Sequence, residues 1–251
     1  MKKKIIILLV SIALVVGILS GCTEEQTTTV KTEANFEYTS DNMYVGTEFT
    51  FTDKSTGEDL TYEWDFDGDG TADSTDQNPT YTFDTAGTYA VKLTITDGDG
   101  ETSEYSEDIT ITLKDIVTTA IDAGFSTLAT ALTTADLVTT LQGDGPFTVF
   151  APTDDAFAAV NQTWLTDLLA DTTNLTKVLT YHVVSGKVMS TDLTNSTVES
   201  LEGTNLTVVV EASGVYIDDV MVTTADVECS NGVIHIIGSV LIPETVTGPT
   251  D

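Results

Sequence analysis

The sequence contains no arginine, and only nine lysines face 40 acidic residues, which gives a formal net charge of −31. We therefore expect no binding to nucleic acid, because such binding depends on basic side chains that neutralise phosphates. The same charge repels anionic lipids and acidic glycans unless divalent cations bridge them. The plain interpretation of this charge is a well-solvated surface, and the sharper one is cation-dependent contact with a matrix.

Cysteine and histidine are also scarce, with two residues each: Cys22, Cys229, His182 and His235. Cys22 is assigned to lipidation below, so no structural disulfide is expected. Both histidines lie among regularly spaced apolar residues, which favours a core role for each. Acidic neighbours disfavour a reactive thiolate at Cys229. The sequence has no zinc spacing, glycine-rich phosphate loop or serine elbow, and it predicts that the protein is not an enzyme.

The first 34 residues indicate an export signal and a tether. Lys2 to Lys4 precede an apolar run, Ile5 to Leu19, with the length of a secretory signal. Leu19-Ser20-Gly21-Cys22 resembles the lipobox of prokaryotic lipoproteins, which implies cleavage after residue 21 and a diacylglyceryl group on Cys22. We predict a signal peptide at 1–21, and a lipidated cysteine with a disordered tether at 22–34. An uncleaved membrane-spanning helix is the alternative, although the apolar run is short for it.

Residues 35–113 alternate between apolar and polar with a period of two. Phe49 and Phe51, for example, are followed by the similar runs around Trp64 and Leu93, with glycine- and aspartate-rich turns between them. This pattern predicts an all-β, Ig-like sandwich centred on Trp64. The segments 62–70 (YEWDFDGDG) and 78–89 (NPTYTFDTAGTY) resemble a polycystic kidney disease (PKD) repeat. The resemblance implies a seven-stranded sandwich that serves as a spacer or as a protein or carbohydrate contact module.

An acidic loop lies inside this segment. Its aspartates occupy positions 1, 3, 5, 9 and 12 of a calcium-loop template: Asp65, Asp67, Asp69, Asp73 and Asp76. Position 12 is not glutamate and the flanks are strands, so the loop departs from an EF-hand. It predicts either a Ca²⁺ site, because close carboxylates repel one another without a cation, or a turn whose carboxylates face water. A second acidic turn is interpreted as solvated surface: Asp97, Asp99 and Glu101.

After Lys114 the apolar spacing becomes helical, as in Phe125, Leu128 and Leu132. A short apolar strand at 147–150 is followed by Thr153, a natural N-cap for a further helix. Strands are predicted in the last third, at 206–210, 215–217 and 233–237. Helices followed by strands indicate an α+β domain.

Three ordered blocks in this region resemble a fasciclin-type domain: 145–157 (GPFTVFAPTDDAF), 181–184 (YHVV), and 231–237 (NGVIHII) with 240–243 (VLIP). The resemblance covers 115–246 and implies a β-wedge with packed helices, leaving 247–251 as a C-terminal tail. Tyr181 and His182 are its candidate binding residues, with core packing as the alternative. Ser185 and Gly238 depart from the family pattern, which puts in doubt any partner contact at those positions.

Four Asn-X-Thr sequons, the acceptor pattern for N-glycosylation, lie in this second domain: Asn161, Asn174, Asn195 and Asn205. Glycosylation at these sites is a hypothesis, since a threonine-rich chain generates some sequons by chance.

The sequence as a whole predicts an exported, lipid-anchored cell-surface protein. Its fasciclin-like domain is expected to mediate adhesion, as the family resemblance implies, by contacting an envelope or matrix protein or polysaccharide. Two alternatives stay open: a calcium-stabilised structural element of the envelope, and an accessory carbohydrate-binding subunit of a surface hydrolase.

Overall fold

The computed structural model describes residues 30–248, and the chain divides between Thr112 and Leu113 into an N-terminal and a C-terminal unit. The predicted signal peptide, the lipidation site at Cys22 and residues 249–251 lie outside the described residues. Within 30–248, no helix has the length and apolar character needed to cross a membrane.

Within residues 30–112, the N-terminal unit has six strands in two antiparallel sheets. The strands are β1 (Phe36–Ser40), β2 (Glu48–Asp53), β3 (Thr61–Asp65), β4 (Thr80–Thr82), β5 (Gly87–Thr96) and β6 (Thr102–Ile111). One sheet has the order β1-β2-β4 and the other β3-β5-β6. Side chains from both sheets form one core, so the predicted all-β sandwich is confirmed.

Aromatic rings fill much of this core. Trp64 is fully buried, as the sequence predicted, and its ring lies 5.5 Å from that of Phe51 and 5.1 Å from that of Phe36. The indole N–H donates to the backbone carbonyl of Asp76 at 2.8 Å, so the one polar atom of the ring is satisfied. This hydrogen bond therefore joins Asp76, the last residue of the acidic loop, to Trp64 at the centre of the sandwich.

The folded N-terminal unit begins earlier than the sequence indicated. The predicted tether reached Ala34, but Glu33 pairs with Thr56 through two backbone hydrogen bonds, and Ala34 is buried. Thr32 is also buried, and its hydroxyl donates to the carboxylate of Asp97. Residues 32–34 are therefore part of the folded unit.

Up to residue 248, where the described part of the chain ends, the C-terminal unit has six α-helices, one short 3₁₀ helix (Ser190–Asp192) and seven strands. The helices are α1 (Ile116–Asp122), α2 (Ser126–Thr134), α3 (Val138–Leu141), α4 (Asp154–Ala159), α5 (Gln162–Ala170) and α6 (Thr172–Tyr181). The strands are β7 (Phe147–Pro152), β8 (Val183–Ser185), β9 (Ser196–Glu199), β10 (Asn205–Glu211), β11 (Gly214–Ile217), β12 (Val220–Cys229) and β13 (Gly232–Ile237). This order confirms the predicted α+β domain.

The seven strands form one curled sheet in the order β8-β7-β13-β12-β11-β10-β9. Its two ends meet, because Val184 of β8 bridges Ser200, the residue after β9, and the Leu201 N–H donates to the Val183 carbonyl at 2.7 Å. One apolar cluster lies within the curl and includes Phe150, Leu206 and Ile217. Closure of this kind protects strand edges from pairing with another chain.

The helices cover the outer side of β7 and β13 with a second apolar cluster. These two strands are parallel and covered on both faces, which explains the almost continuous burial of β7. Thr153 caps α4, as predicted, by accepting a hydrogen bond from the Ala156 N–H at 3.1 Å. Gly232 lies so close to β7 that a Cβ would come within 2.0 Å of the Phe147 carbonyl oxygen.

Candidate functional site

The acidic loop between β3 and β4 of the N-terminal unit is built on Asp65, the last residue of β3. Its two carboxylate oxygens accept hydrogen bonds from the N–H groups of Gly68 (2.7 Å) and Gly70 (3.0 Å). Both glycines have positive φ angles, +76° and +87°, which the sharp turn requires and which glycine adopts without strain. The buried carboxylate of Asp65 therefore organises the loop around itself.

Three of the five predicted calcium ligands converge. Carboxylate oxygens of Asp65, Asp67 and Asp73 lie within 4.8 Å of one another, with Asp65 buried and the other two exposed. Asp73 also accepts from the Phe66 N–H at 2.7 Å, which fixes its position. Such oxygens are hard ligands of the kind that Ca²⁺ prefers, although Ca²⁺ needs several more oxygens, which water would supply.

The other two predicted ligands, Asp69 and Asp76, are not part of this group. The carboxylate of Asp69 accepts from the Thr71 N–H at 2.7 Å, and Asp76 contributes its backbone carbonyl to Trp64. Neither carboxylate belongs to the convergent group, so the spacing of a calcium-loop template is only partly reproduced. Local bonding is the physical reason, since the Asp69 carboxylate accepts within its own turn and the Asp76 backbone is bonded to Trp64.

In the C-terminal unit, Tyr181 lies at the end of α6 and is buried. Its hydroxyl donates to Asp218 Oδ2, while Asp218 Oδ1 accepts from the Thr207 N–H at 2.7 Å. Burial, reinforced by the Asp218 carboxylate, raises the pKa of Tyr181 above its usual value. Tyr181 thereby links α6 to the turn between β11 and β12.

His182 is 3% exposed and follows Tyr181 as the C-cap of α6. The Leu241 N–H donates to Nε2 at 2.9 Å, so Nδ1 carries the proton and donates to the Val178 carbonyl at 2.7 Å. Burial lowers the pKa of His182 to about 4, which keeps the ring neutral at pH 7. The burial of both candidate binding residues favours their alternative role in core packing.

A serine, an aspartate and a histidine meet near the 3₁₀ helix Ser190–Asp192, which the sequence did not reveal. Ser190 donates its hydroxyl to Asp226 at 2.5 Å and its N–H at 2.7 Å, and this bonding lowers the pKa of Asp226. His235 is fully buried, and its Nε2 lies 2.9 Å from the Val188 carbonyl. The serine faces the carboxylate and not the imidazole, so the histidine cannot act as its base. The geometry fits a structural role, in which Ser190 and Asp226 hold the 3₁₀ helix against β12.

Asn231 is a second residue that the sequence did not single out for a role of its own. It is buried, accepts from the Ile116 N–H at 3.0 Å, and donates to the carbonyls of Leu141 (2.7 Å) and Gly143 (2.9 Å). It thus joins the start of α1 to the end of α3. Its place directly before Gly232, within a block of the family resemblance, was the available signal.

Cys229 is buried and free, and burial raises the pKa of its thiol, in agreement with the expected unreactive role. By contrast, large apolar side chains are exposed at four places on the C-terminal unit: Ile121 (54%), Leu201 (42%), Val210 (38%) and Met221 (43%). These residues are candidates for contact with another molecule.

Comparison with known families identifies both units. Residues 23–113 match the model of the PKD domain, and residues 123–243 match that of the fasciclin domain. Protein sll1483 of Synechocystis sp. is 42% identical over 150 residues, which are 57% of this chain and 83% of that protein. This chain belongs to the fasciclin family. Its C-terminal unit is the fasciclin domain, and its N-terminal unit is a PKD domain.

The fasciclin domain also has more distant relatives. Transforming growth factor-beta-induced protein ig-h3 of Sus scrofa is 37% identical over 123 residues, or 49% of this chain, but only 18% of that protein is covered. Among solved structures, a FAS1 domain pair from the insect cell adhesion molecule Fasciclin I is similar, with 15% identity and a TM-score of 0.45. That similarity covers 81% of this chain and 73% of the other.

Proposed function

We propose that this protein is exported, held on the membrane by a lipid at Cys22, and mediates adhesion or envelope contact through its fasciclin domain. The PKD domain serves as a spacer or as a further protein or carbohydrate contact module. The observation that carries the proposal is the match of 123–243 to the fasciclin domain, the family whose usual role is adhesion.

Because Tyr181 and His182 are buried, we propose that the contact is made by other residues. Ile121, Val210 and Met221 are exposed apolar side chains on α1, β10 and β12. In a chain with a net charge of −31, apolar contact avoids the electrostatic repulsion that an acidic partner would cause. We therefore assign the contact to exposed apolar side chains of the fasciclin domain.

The test is binding of a soluble form, residues 23–251, to whole-envelope material with calcium and with chelator. Saturable binding that resists chelator is expected. Met221→Glu combined with Val210→Glu should weaken it about tenfold or more, which corresponds to about 1.4 kcal/mol, because each change places an unpaired charge in an apolar contact. Val30→Glu on the PKD domain, where Val30 is 50% exposed, is the control for the addition of one carboxylate, and it is compared with Met221→Glu and Val210→Glu made singly. Absence of saturable binding in both conditions contradicts the adhesion proposal.

A second candidate function is a calcium-stabilised structural element, favoured by the convergence of Asp65, Asp67 and Asp73. Under this proposal Ca²⁺ binds the PKD domain and stabilises it by about 2.7 kcal/mol at a hundredfold excess over Kd. Calorimetric titration with Ca²⁺ and thermal unfolding measure the two effects.

The calcium variant is Asp67→Asn combined with Asp73→Asn, which keeps side-chain oxygens and removes two charges. The control is Asp99→Asn combined with Glu101→Gln, which removes the same charge from the second acidic turn. Calcium stabilisation that disappears only in the first variant supports the site. Equal loss in both variants indicates general charge screening instead.

A further inference from the structure

The four sequons of the fasciclin domain differ in the accessibility of their reactive groups. N-glycosylation requires a free asparagine carboxamide and the hydroxyl two residues later. In the folded protein, intramolecular hydrogen bonds can occupy either group. The structure therefore ranks the four sites, which are identical in sequence pattern.

The reactive groups of the two sequons on helices already make intramolecular hydrogen bonds. Asn161 caps α5, with its Oδ1 accepting from the N–H groups of Thr163 (3.0 Å) and Trp164 (3.2 Å). Asn174 donates Nδ2, the atom that glycosylation modifies, to Asp171 at 2.8 Å. The hydroxyl of its sequon, on Thr176, donates to the Thr172 carbonyl at 2.7 Å. Modification of Asn174 would break these bonds within the first turns of α6.

The other two sequons lie on the β9–β10 hairpin. Asn195 is exposed, but its Oδ1 accepts from the Val210 N–H at 2.6 Å. Asn205 is the first residue of β10 and is also exposed. Among the described residues, neither the Asn205 carboxamide nor the Thr207 hydroxyl has a hydrogen-bond partner.

The backbone around Asn205 is held firmly although its side chain is free. Leu206 is fully buried in the curled sheet. The N–H of Thr207 donates to Asp218 Oδ1 at 2.7 Å, and its carbonyl accepts from the Asp218 N–H at 2.9 Å. Side chains alternate along a strand, so Asn205 and Thr207 share the outward face while Leu206 faces the core. The acceptor and its hydroxyl are thus presented together, and a glycan there would displace no contact.

We infer that Asn205 is an N-glycan acceptor of the folded protein. The donor is an oligosaccharide linked to a polyprenyl diphosphate. Asn205 Nδ2 attacks the anomeric carbon of the first sugar, the new C–N bond replaces the bond from that carbon to the diphosphate oxygen, and the polyprenyl diphosphate leaves with the electron pair. One Nδ2 proton passes to a base of the transferase. The inference rests on the proposed export of the chain, because this is modification of an extracytoplasmic domain.

The first test is glycosylation of the full chain in detergent by an oligosaccharyltransferase supplied with such a donor. Occupancy is compared by peptide mass mapping between the folded chain and the same chain denatured. On the folded chain, Asn205 should be occupied at least about tenfold more than Asn174, and the difference should shrink on the denatured chain. Equal occupancy of the two sites on the folded chain overturns the inference.

The second test maps glycopeptides of the chain isolated from its own membranes, with Thr207→Ser and Thr207→Val as matched variants. A glycan at Asn205 that persists in Thr207→Ser and is lost in Thr207→Val is the expected result. An unmodified Asn205 in the isolated chain overturns the inference. This result is independent of the binding measurement, so failure of the adhesion proposal and failure of the glycan proposal are distinguishable.

Discussion

The core of the PKD domain is built largely from aromatic rings, whereas the fasciclin domain has a mainly aliphatic core that contains buried polar side chains. Phe49, Phe51 and Trp64 are fully buried in the first. Asn231, His182 and His235 are buried in the second. Among the described residues, no buried side-chain nitrogen or oxygen lacks a hydrogen-bond partner.

This difference predicts which substitutions lower the stability of each domain. Apolar rings stabilise by the area and volume that they bury, so the PKD domain should respond most to loss of volume. Buried polar groups stabilise only when every partner is present, so the fasciclin domain should respond to single hydrogen bonds and to pH. Each domain contains one of the two tryptophans, Trp64 or Trp164, which provides a separate fluorescence signal.

The largest effect is expected for Phe51→Ala in the PKD domain. Its ring contacts those of Phe36, Trp64 and Phe66, with centroids 5.8, 5.5 and 4.8 Å away. The cavity should lower the free energy of unfolding by about 4 kcal/mol. Denaturant unfolding followed by Trp64 fluorescence, in a Trp164→Phe background, measures the change. Phe51→Leu is the control and should cost much less, and an equal cost would show that ring volume is not decisive.

The next effect concerns Asn231→Ala in the fasciclin domain. This change leaves the Ile116 N–H and the carbonyls of Leu141 and Gly143 without their partner. The expected loss is about 3–4 kcal/mol, measured by Trp164 fluorescence in a Trp64→Phe background. Asn205→Ala, at an exposed asparagine without a side-chain partner, should change stability by less than about 0.5 kcal/mol. Similar losses in both variants would contradict the assigned role of Asn231.

Local sequence patterns predicted most of the fold. Alternation around Trp64 and helical spacing after Lys114 correctly separated the two domains, and Thr153 correctly marked the start of α4. Strand β12, Val220–Cys229, was missed because irregular pairing with β13 and a positive φ angle of +61° at Asp226 interrupt its alternation. Such an interruption depends on the partner strand, which one segment of sequence does not reveal.

The candidate sites were less predictable because they depend on contacts between distant residues. The spacing of the acidic loop identified Asp65, Asp67 and Asp73, but it could not show that Asp69 and Asp76 lie outside the convergent group. The ranking of the sequons depends on the bonds that Asn174 and Asn195 make in the folded chain. The contact between β8 and the residue after β9 also joins distant segments, so local sequence patterns could not predict it.

The smallest expected effect is a pH dependence of the stability of the fasciclin domain. His182 has a pKa of about 4 in the folded protein, below the ordinary value of 6.5, because burial penalises its charged form. As pH falls from 6.5 towards 4, the unfolded chain takes up this proton and the folded chain does not, so the fasciclin domain loses stability. The contribution is present in full above pH 6.5 and amounts to about 3 kcal/mol.

His182→Gln isolates this contribution, because glutamine does not titrate while the many carboxylates remain. The charged group that acts on His182 from outside α6, Asp218, is unchanged in the variant. Unfolding free energies from Trp164 fluorescence, measured from pH 7.5 to 4.5, should fall more steeply for the parent chain than for the variant. The variant is expected to be less stable at pH 7.5 but closer to the parent at pH 4.5. Parallel profiles would falsify the assignment, because they would mean that His182 takes up its proton equally readily in the folded and the unfolded chain, although protonation at Nε2 removes the acceptor of the Leu241 N–H.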